Sequence, residues 1–137
     1  MGDASVTAFP RRTPPTILVV EDNVLTRSAI SDELRAHGFK VLEASSADDA
    51  LMVLDTMRID LVFVDIHLPG SGDGLDVARH VHARGGPTQM ILTSGVSDAS
   101  AIPDLDDLGV FIRKPYLITR VITLVSYSLN WPDTPSA

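Results

Sequence analysis

Two stretches of this chain, Ile17–Val20 and Leu61–Val64, are apolar at all four of their positions and rich in β-branched residues. A strand with one face in water alternates polar and apolar side chains. An unbroken run therefore points to burial on both faces, the situation of an inner strand in a parallel sheet. Parallel neighbours need long crossover connections, and the segments between the runs have the spacing of helices. Ala47, Ala50, Leu51 and Leu54 fall at i, i+3, i+4, i+7, as do Gly74, Val77, Ala78 and Val81. A first helix is predicted over Val24–His37, stopped by Gly38, a residue that readily takes the left-handed C-terminal conformation. The predicted strands are Thr16–Val20, Phe39–Glu43, Leu61–Asp65, Gln89–Thr93 and Val110–Ile112. Five β/α units in this order predict a doubly wound α/β domain over residues 16–129, with helices on both faces of a parallel sheet.

The flanks read differently. Residues 1–15 hold Pro10, Pro14 and Pro15 without periodicity and are expected to form a mobile tail. Residues 130–137 are expected to form a second, short tail, from which Trp131 could dock. At 137 residues there is room for one ordinary domain. A net charge of −7 argues against nonspecific nucleic-acid or anionic-membrane binding, which needs clustered Lys and Arg. The chain has no cysteine, which excludes a disulfide framework, a thiolate metal site and a thiol nucleophile. Ile17–Val20 is too short for a signal-peptide core or a membrane span, so a cytoplasmic location is expected.

In open α/β sheets, functional groups gather at the carboxyl ends of the strands. There this chain places Glu21 and Asp22, then Asp65, Thr93 and Lys114. Each has an ordinary explanation by itself. Acids favour helix starts, an Asp caps loops, a Thr bonds backbone and Lys-Pro is common in turns. Converging on one edge they make a different chemistry. Three carboxylates repel one another unless a cation neutralises them, and an all-oxygen set suits a hard ion such as Mg²⁺, with Mn²⁺ as a substitute. A carboxylate beside such an ion can attack phosphorus to form an aspartyl phosphate, while a hydroxyl and an ammonium hold the phosphoryl oxygens.

With those residues in place, the stretches Ile17-Leu-Val-Val-Glu-Asp-Asn, Gly38-Phe-Lys-Val, Asp60-Leu-Val-Phe-Val-Asp-Ile-His-Leu-Pro-Gly, Ile91-Leu-Thr-Ser-Gly and Phe111-Ile-Arg-Lys-Pro-Tyr resemble the receiver (response-regulator, CheY-like) domain of two-component signalling. The resemblance implies a flavodoxin-like strand order 2-1-3-4-5. It makes Asp65 the phosphoacceptor and gives Mg²⁺ direct ligands in Asp22 and Asp65, Glu21 through water, and the backbone carbonyl of His67. It puts Thr93 and Lys114 on the phosphoryl group, Phe111 at the aromatic switch position with Thr93 as its partner, and a cis peptide at Lys114-Pro115. The implied phosphodonor is a phosphohistidine on a sensor histidine kinase or a histidine phosphotransfer protein, docking on the side of the first helix.

Three features depart from the common pattern. The loop Leu68–Leu75 is one residue longer. The segment 97–108 contains Pro103 among Asp104, Asp106 and Asp107, and proline disrupts a helix interior by about 3 kcal/mol, so a short or irregular fourth helix is expected. Phe111 lacks a hydroxyl, so any switch there works by packing. His37, His80 and His82 fall on predicted helices and read as surface residues.

At 100° per residue, the last helix gathers Leu117, Ile118, Val121, Ile122, Leu124, Val125 and Leu129 into an arc roughly 160° wide. One reading is a core face with generous edges. The other is an exposed apolar strip of Ile118, Ile122 and Leu129 serving a homodimer or partner. The functional expectation is a stand-alone, phosphorylation-controlled binding or relay module, not a multiple-turnover enzyme. Two alternatives are a pseudo-receiver that is never phosphorylated and a Mg²⁺-dependent phosphohydrolase. The Asp-x-Asp motif of dehalogenase-like phosphatases is absent from Asp65-Ile-His67.

Overall fold

The computed structural model describes residues 13–95 and 101–132. The expected tails over 1–12 and 133–137, and positions 97–100 of the irregular segment, lie outside the described residues. Five strands, β1 (Thr16–Val20), β2 (Lys40–Ala44), β3 (Leu61–Asp65), β4 (Gln89–Ser94) and β5 (Val110–Arg113), form one sheet in the order β2-β1-β3-β4-β5. Every pairing is parallel, which is the doubly wound, flavodoxin-like topology. Among the described residues the helices are α1 (Val24–Ala36), α2 (Ala47–Thr56), α3 (Gly74–Arg84), α4 (Leu105–Leu108) and α5 (Ile118–Leu129).

The unbroken apolar runs do what their lack of alternation requires. Ile17 and Val19 of β1, with Leu61 and Phe63 of β3, pack beneath α1 and α5 alongside Ile30, Leu34, Val121 and Val125. Leu18, Val20, Val62 and Val64 face the other way, onto Ala50 and Leu54 of α2, Val77 and Ala78 of α3, and Leu105 and Leu108 of α4. Odd and even positions of the same strand thus fill two separate cores.

Local signals set the helix ends. Asn23 caps α1, its Oδ1 accepting the Thr26 N–H at 2.9 Å. Asp73 and Asp76 form a reciprocal capping box at the start of α3. The expectation for the fourth helix is met among the described residues, where α4 is a single turn. A bidentate pair from Arg79 to Asp104, at 3.2 and 3.0 Å, ties that turn to α3.

The packed body runs slightly past both predicted edges. Pro15 is buried, and its carbonyl accepts the Lys40 N–H at 3.0 Å. Trp131 docks, its Nε1 donating to the His37 carbonyl at 2.9 Å and its ring lying 6.0 Å from that of Phe39. No described helix is long and apolar enough to cross a membrane.

The last helix requires a correction. Ile122 and Leu129 are 3% and 6% exposed, and Ile118 is half-buried against the same core. They therefore form no exposed strip, because α5 lies on the sheet beside α1 and turns its widest apolar arc inward. The large apolar side chains that α5 and its approach leave in water are Leu117 and Tyr127, at 74% and 85%.

Gly74 opens α3 against the end of β3. A Cβ there would collide with the Asp65 carbonyl oxygen and sit 2.7 Å from Ile66 Cα, both of which are backbone. Gly74→Ala is expected to cost about 3 kcal/mol, read as a lower urea midpoint, since backbone cannot step aside as a side chain can. An unchanged midpoint would contradict this packing.

Candidate functional site

The parallel register brings the strand ends to one edge, above the point where the order reverses between β1 and β3. Glu21 and Asp22 follow β1 directly, Asp65 ends β3, its register partner Thr93 lies on β4, and Lys114 follows β5. Glu21, Asp22 and Asp65 can place one carboxylate oxygen each within 4.8 Å of one another. Glu21 and Asp65 are buried and Asp22 is exposed.

Each group is held. The Lys114 ammonium donates to Asp65 Oδ2 at 2.6 Å and lies 3.5 Å from Glu21 Oε1. The cis peptide between Lys114 and Pro115 is present, and the Lys114 N–H donates to the Ser94 carbonyl at 2.9 Å. On the other side, the His67 N–H donates to Asp65 Oδ1 at 2.9 Å, while the His67 residue is exposed. The Asn23 N–H donates to Glu21 Oε2 at 3.0 Å. Thr93 is fully buried, and its hydroxyl has no hydrogen-bond partner in the structure. Buried hydroxyls are normally paired, so Thr93 offers a donor to an incoming oxygen. Phe111 is half-buried and packs against the core that holds α4, adjacent in register to Leu92.

Burial is the largest influence on Glu21 and raises its carboxyl above the ordinary value; the Asn23 N–H and Lys114 oppose this, while Asp22 and Asp65 add to it. For Lys114 burial also acts most strongly, here downward. The hydrogen bond to Asp65 and the charges of Asp65 and Glu21 together outweigh it, so the ammonium titrates above its ordinary value. Its stabilising contribution is complete below the unfolded lysine range and fades only as pH rises through the raised value. Glu21 behaves oppositely to a paired carboxylate. The unfolded chain releases the proton first, so stability falls as pH rises from 4.5 through the folded value. Glu21→Gln is accordingly expected to raise the thermal midpoint at pH 7. A lower midpoint would show that the carboxylate stabilises the fold.

Three residues of this neighbourhood had no role assigned from the sequence. Asn23 carried a signal, a capping residue just before an apolar periodic segment. Arg27, whose Nη1 donates to the Glu21 carbonyl at 2.8 Å, carried none. Tyr116 packs edge-on against Phe63 at 5.9 Å, and burial pushes its phenol up to about 12.

The pattern described as "Response regulator receiver domain" matches residues 17–126. Aerobic respiration control protein ArcA of Escherichia coli K12 is 33% identical over 122 residues, 85% of this chain and 50% of ArcA. The chain spans about half the length of that curated relative. A response regulator receiver protein from Pseudomonas putida superimposes with a TM-score of 0.75 at 30% identity, covering 85% of this chain and 99% of the other. Response regulator protein TrrA from Thermotoga maritima, solved in complex with Mg²⁺ and BeF, gives a TM-score of 0.75 at 26% identity over 84% of this chain and 99% of TrrA.

Proposed function

The chain belongs to the response regulator receiver domain family, and from that premise we propose that it accepts one phosphoryl group on Asp65 from a phosphohistidine of a sensor histidine kinase or phosphotransfer protein. The observation that carries this reading is the placement of Asp65. It is a buried carboxylate with an ammonium at 2.6 Å on one oxygen, a backbone N–H at 2.9 Å on the other, and two further acids alongside.

The donor set is all oxygen, as Mg²⁺ prefers: Asp22 and Asp65 would hold the ion directly, Glu21 would do so through water, and the His67 carbonyl would complete the protein's share. When bound, the ion supplies positive charge that offsets the acids and the phosphoryl oxygens. The chain's own residues do the rest. An Asp65 carboxylate oxygen attacks phosphorus in line as the bond to the donor imidazole nitrogen breaks, and the imidazole leaves with a proton from solvent. Lys114 moves its hydrogen bond from the carboxylate to a phosphoryl oxygen, and the unpartnered Thr93 hydroxyl donates to another. Drawing Thr93 inward lets Phe111 repack, which couples the site to α4 and β5. The outcome we assign is a change in protein binding, not turnover. Val24 and Leu25, exposed at 61% and 81% at the start of α1, are where we place the docking of the phosphodonor.

Incubation with Mg²⁺ and a small acyl phosphate should add one phosphoryl group per chain, and chelation should prevent it. Multiple turnovers on phosphate esters would favour the phosphohydrolase. A protein that binds divalent cation without ever being modified would favour the pseudo-receiver.

A further inference from the structure

The acid-bearing turn after β1 is anchored by an arginine from the next helix. The Arg27 guanidinium is 17% exposed at its side chain and works in two directions at once. Its Nη1 donates to the Glu21 carbonyl at 2.8 Å, and its Nε donates to Glu43 Oε1 on β2 at 3.2 Å. The other Glu43 oxygen accepts from Arg35 Nη2 at 3.2 Å, so Glu43 is itself held from both sides. The Glu21 N–H meanwhile donates to the Ala44 carbonyl, next to Glu43, at 3.1 Å. Both ends of the Glu21 residue are therefore tied to the end of β2, one directly and one through Arg27. The peptide leaving Glu21 is the one that aims Asp22.

We propose that Arg27 is a positioning residue of the cation site, fixing the Glu21–Asp22 peptide so that both carboxylates face Asp65. This rests on the reading of that site as a Mg²⁺ site. A planar fork suits the task, because one rigid group reaches a carbonyl and a carboxylate together, which a single ammonium does less well. Charge alone would act the other way. A fixed cation near the site repels a divalent ion, so removing it would tighten binding if Arg27 were only a charge.

The test is Mn²⁺ titration of the full chain, following loss of the free-ion electron paramagnetic resonance signal, for wild type, Arg27→Ala and Arg27→Lys. Arg27→Ala is expected to weaken Mn²⁺ binding about tenfold, the usual scale for a residue that orients metal ligands. Arg27→Lys, with charge kept and fork lost, should still bind several-fold more weakly than wild type. In phosphorylation by a small acyl phosphate, the half-saturating Mg²⁺ concentration should rise by the same factor while the rate at saturating Mg²⁺ stays within about twofold. Should Arg27→Ala fail to fold by circular dichroism, Arg27→Lys carries the comparison. Unchanged or tighter binding in the folded variants, beside a wild type that binds Mn²⁺, would overturn the positioning role alone. A wild type that binds no Mn²⁺ would overturn the reading of the site and this role with it.

Discussion

Asp65→Asn is expected to give a folded protein whose phosphoryl uptake from a small acyl phosphate falls by more than about a thousandfold. An amide oxygen is a poor nucleophile, and Asp65 is the carboxylate that accepts from the Lys114 ammonium at 2.6 Å. The fold should survive for geometric reasons. The asparagine Oδ1 can still accept the His67 N–H now at 2.9 Å from Asp65 Oδ1. The Lys114 ammonium cannot donate to the amide nitrogen but keeps Glu21 Oε1, now 3.5 Å away, and losing one of three clustered negative charges relieves repulsion. Intact-mass measurement after incubation with Mg²⁺ and phosphodonor reads the uptake, and circular dichroism reads the fold. Wild-type uptake by the variant would move the acceptor to another carboxylate, Glu21 or Asp22 of the same cluster.

Ile122→Glu is expected to unfold the domain or come close to it. Ile122 is 3% exposed in the core shared by α1, α5 and the sheet. Deleting a buried aliphatic side chain costs about 2–5 kcal/mol, and bringing a carboxyl group into that space without a partner adds to it. A loss of at least about 4 kcal/mol is therefore expected, against a typical total of ~5–15. Tyr127→Glu, at a position 85% exposed on the same helix, should change stability by no more than about 0.5 kcal/mol. Denaturant titrations of the two variants separate the cases. Equal stability of Ile122→Glu and wild type would mean that α5 does not pack as described. The contrast also bears on surfaces: loss of partner binding in Ile122→Glu would report unfolding and could not map an interface.

Asp65 was legible in the chain itself, whereas the burial of Ile122 was not. The unbroken runs at Ile17 and Leu61 implied burial on both faces, and β1 and β3 have it. The acids, hydroxyl and ammonium at successive strand ends implied one edge, which holds because a parallel sheet aligns all its carboxyl ends. The cis peptide and the strand order came from the family resemblance, since neither periodicity nor spacing specifies them. Pro103 foretold a short α4 because a ring in place of an N–H acts within one turn.

Local signals of this kind, hydrophobic period, cap, proline and strand end, are written in neighbouring residues and follow from backbone geometry, so the chain by itself determined the elements and the edge on which the chemistry gathers. Tertiary packing decided the rest. A 160° apolar arc says that α5 has a wide greasy side but not how much of it a neighbour covers; the seating of α5 on the sheet beside α1 put Ile122 and Leu129 inside. Arg27 met Glu43 across sixteen positions of chain, and Lys114 met Asp65 across forty-nine. Such pairings depend on where whole elements come to rest, because burial and long-range hydrogen bonding belong to the assembled layers and not to any single segment.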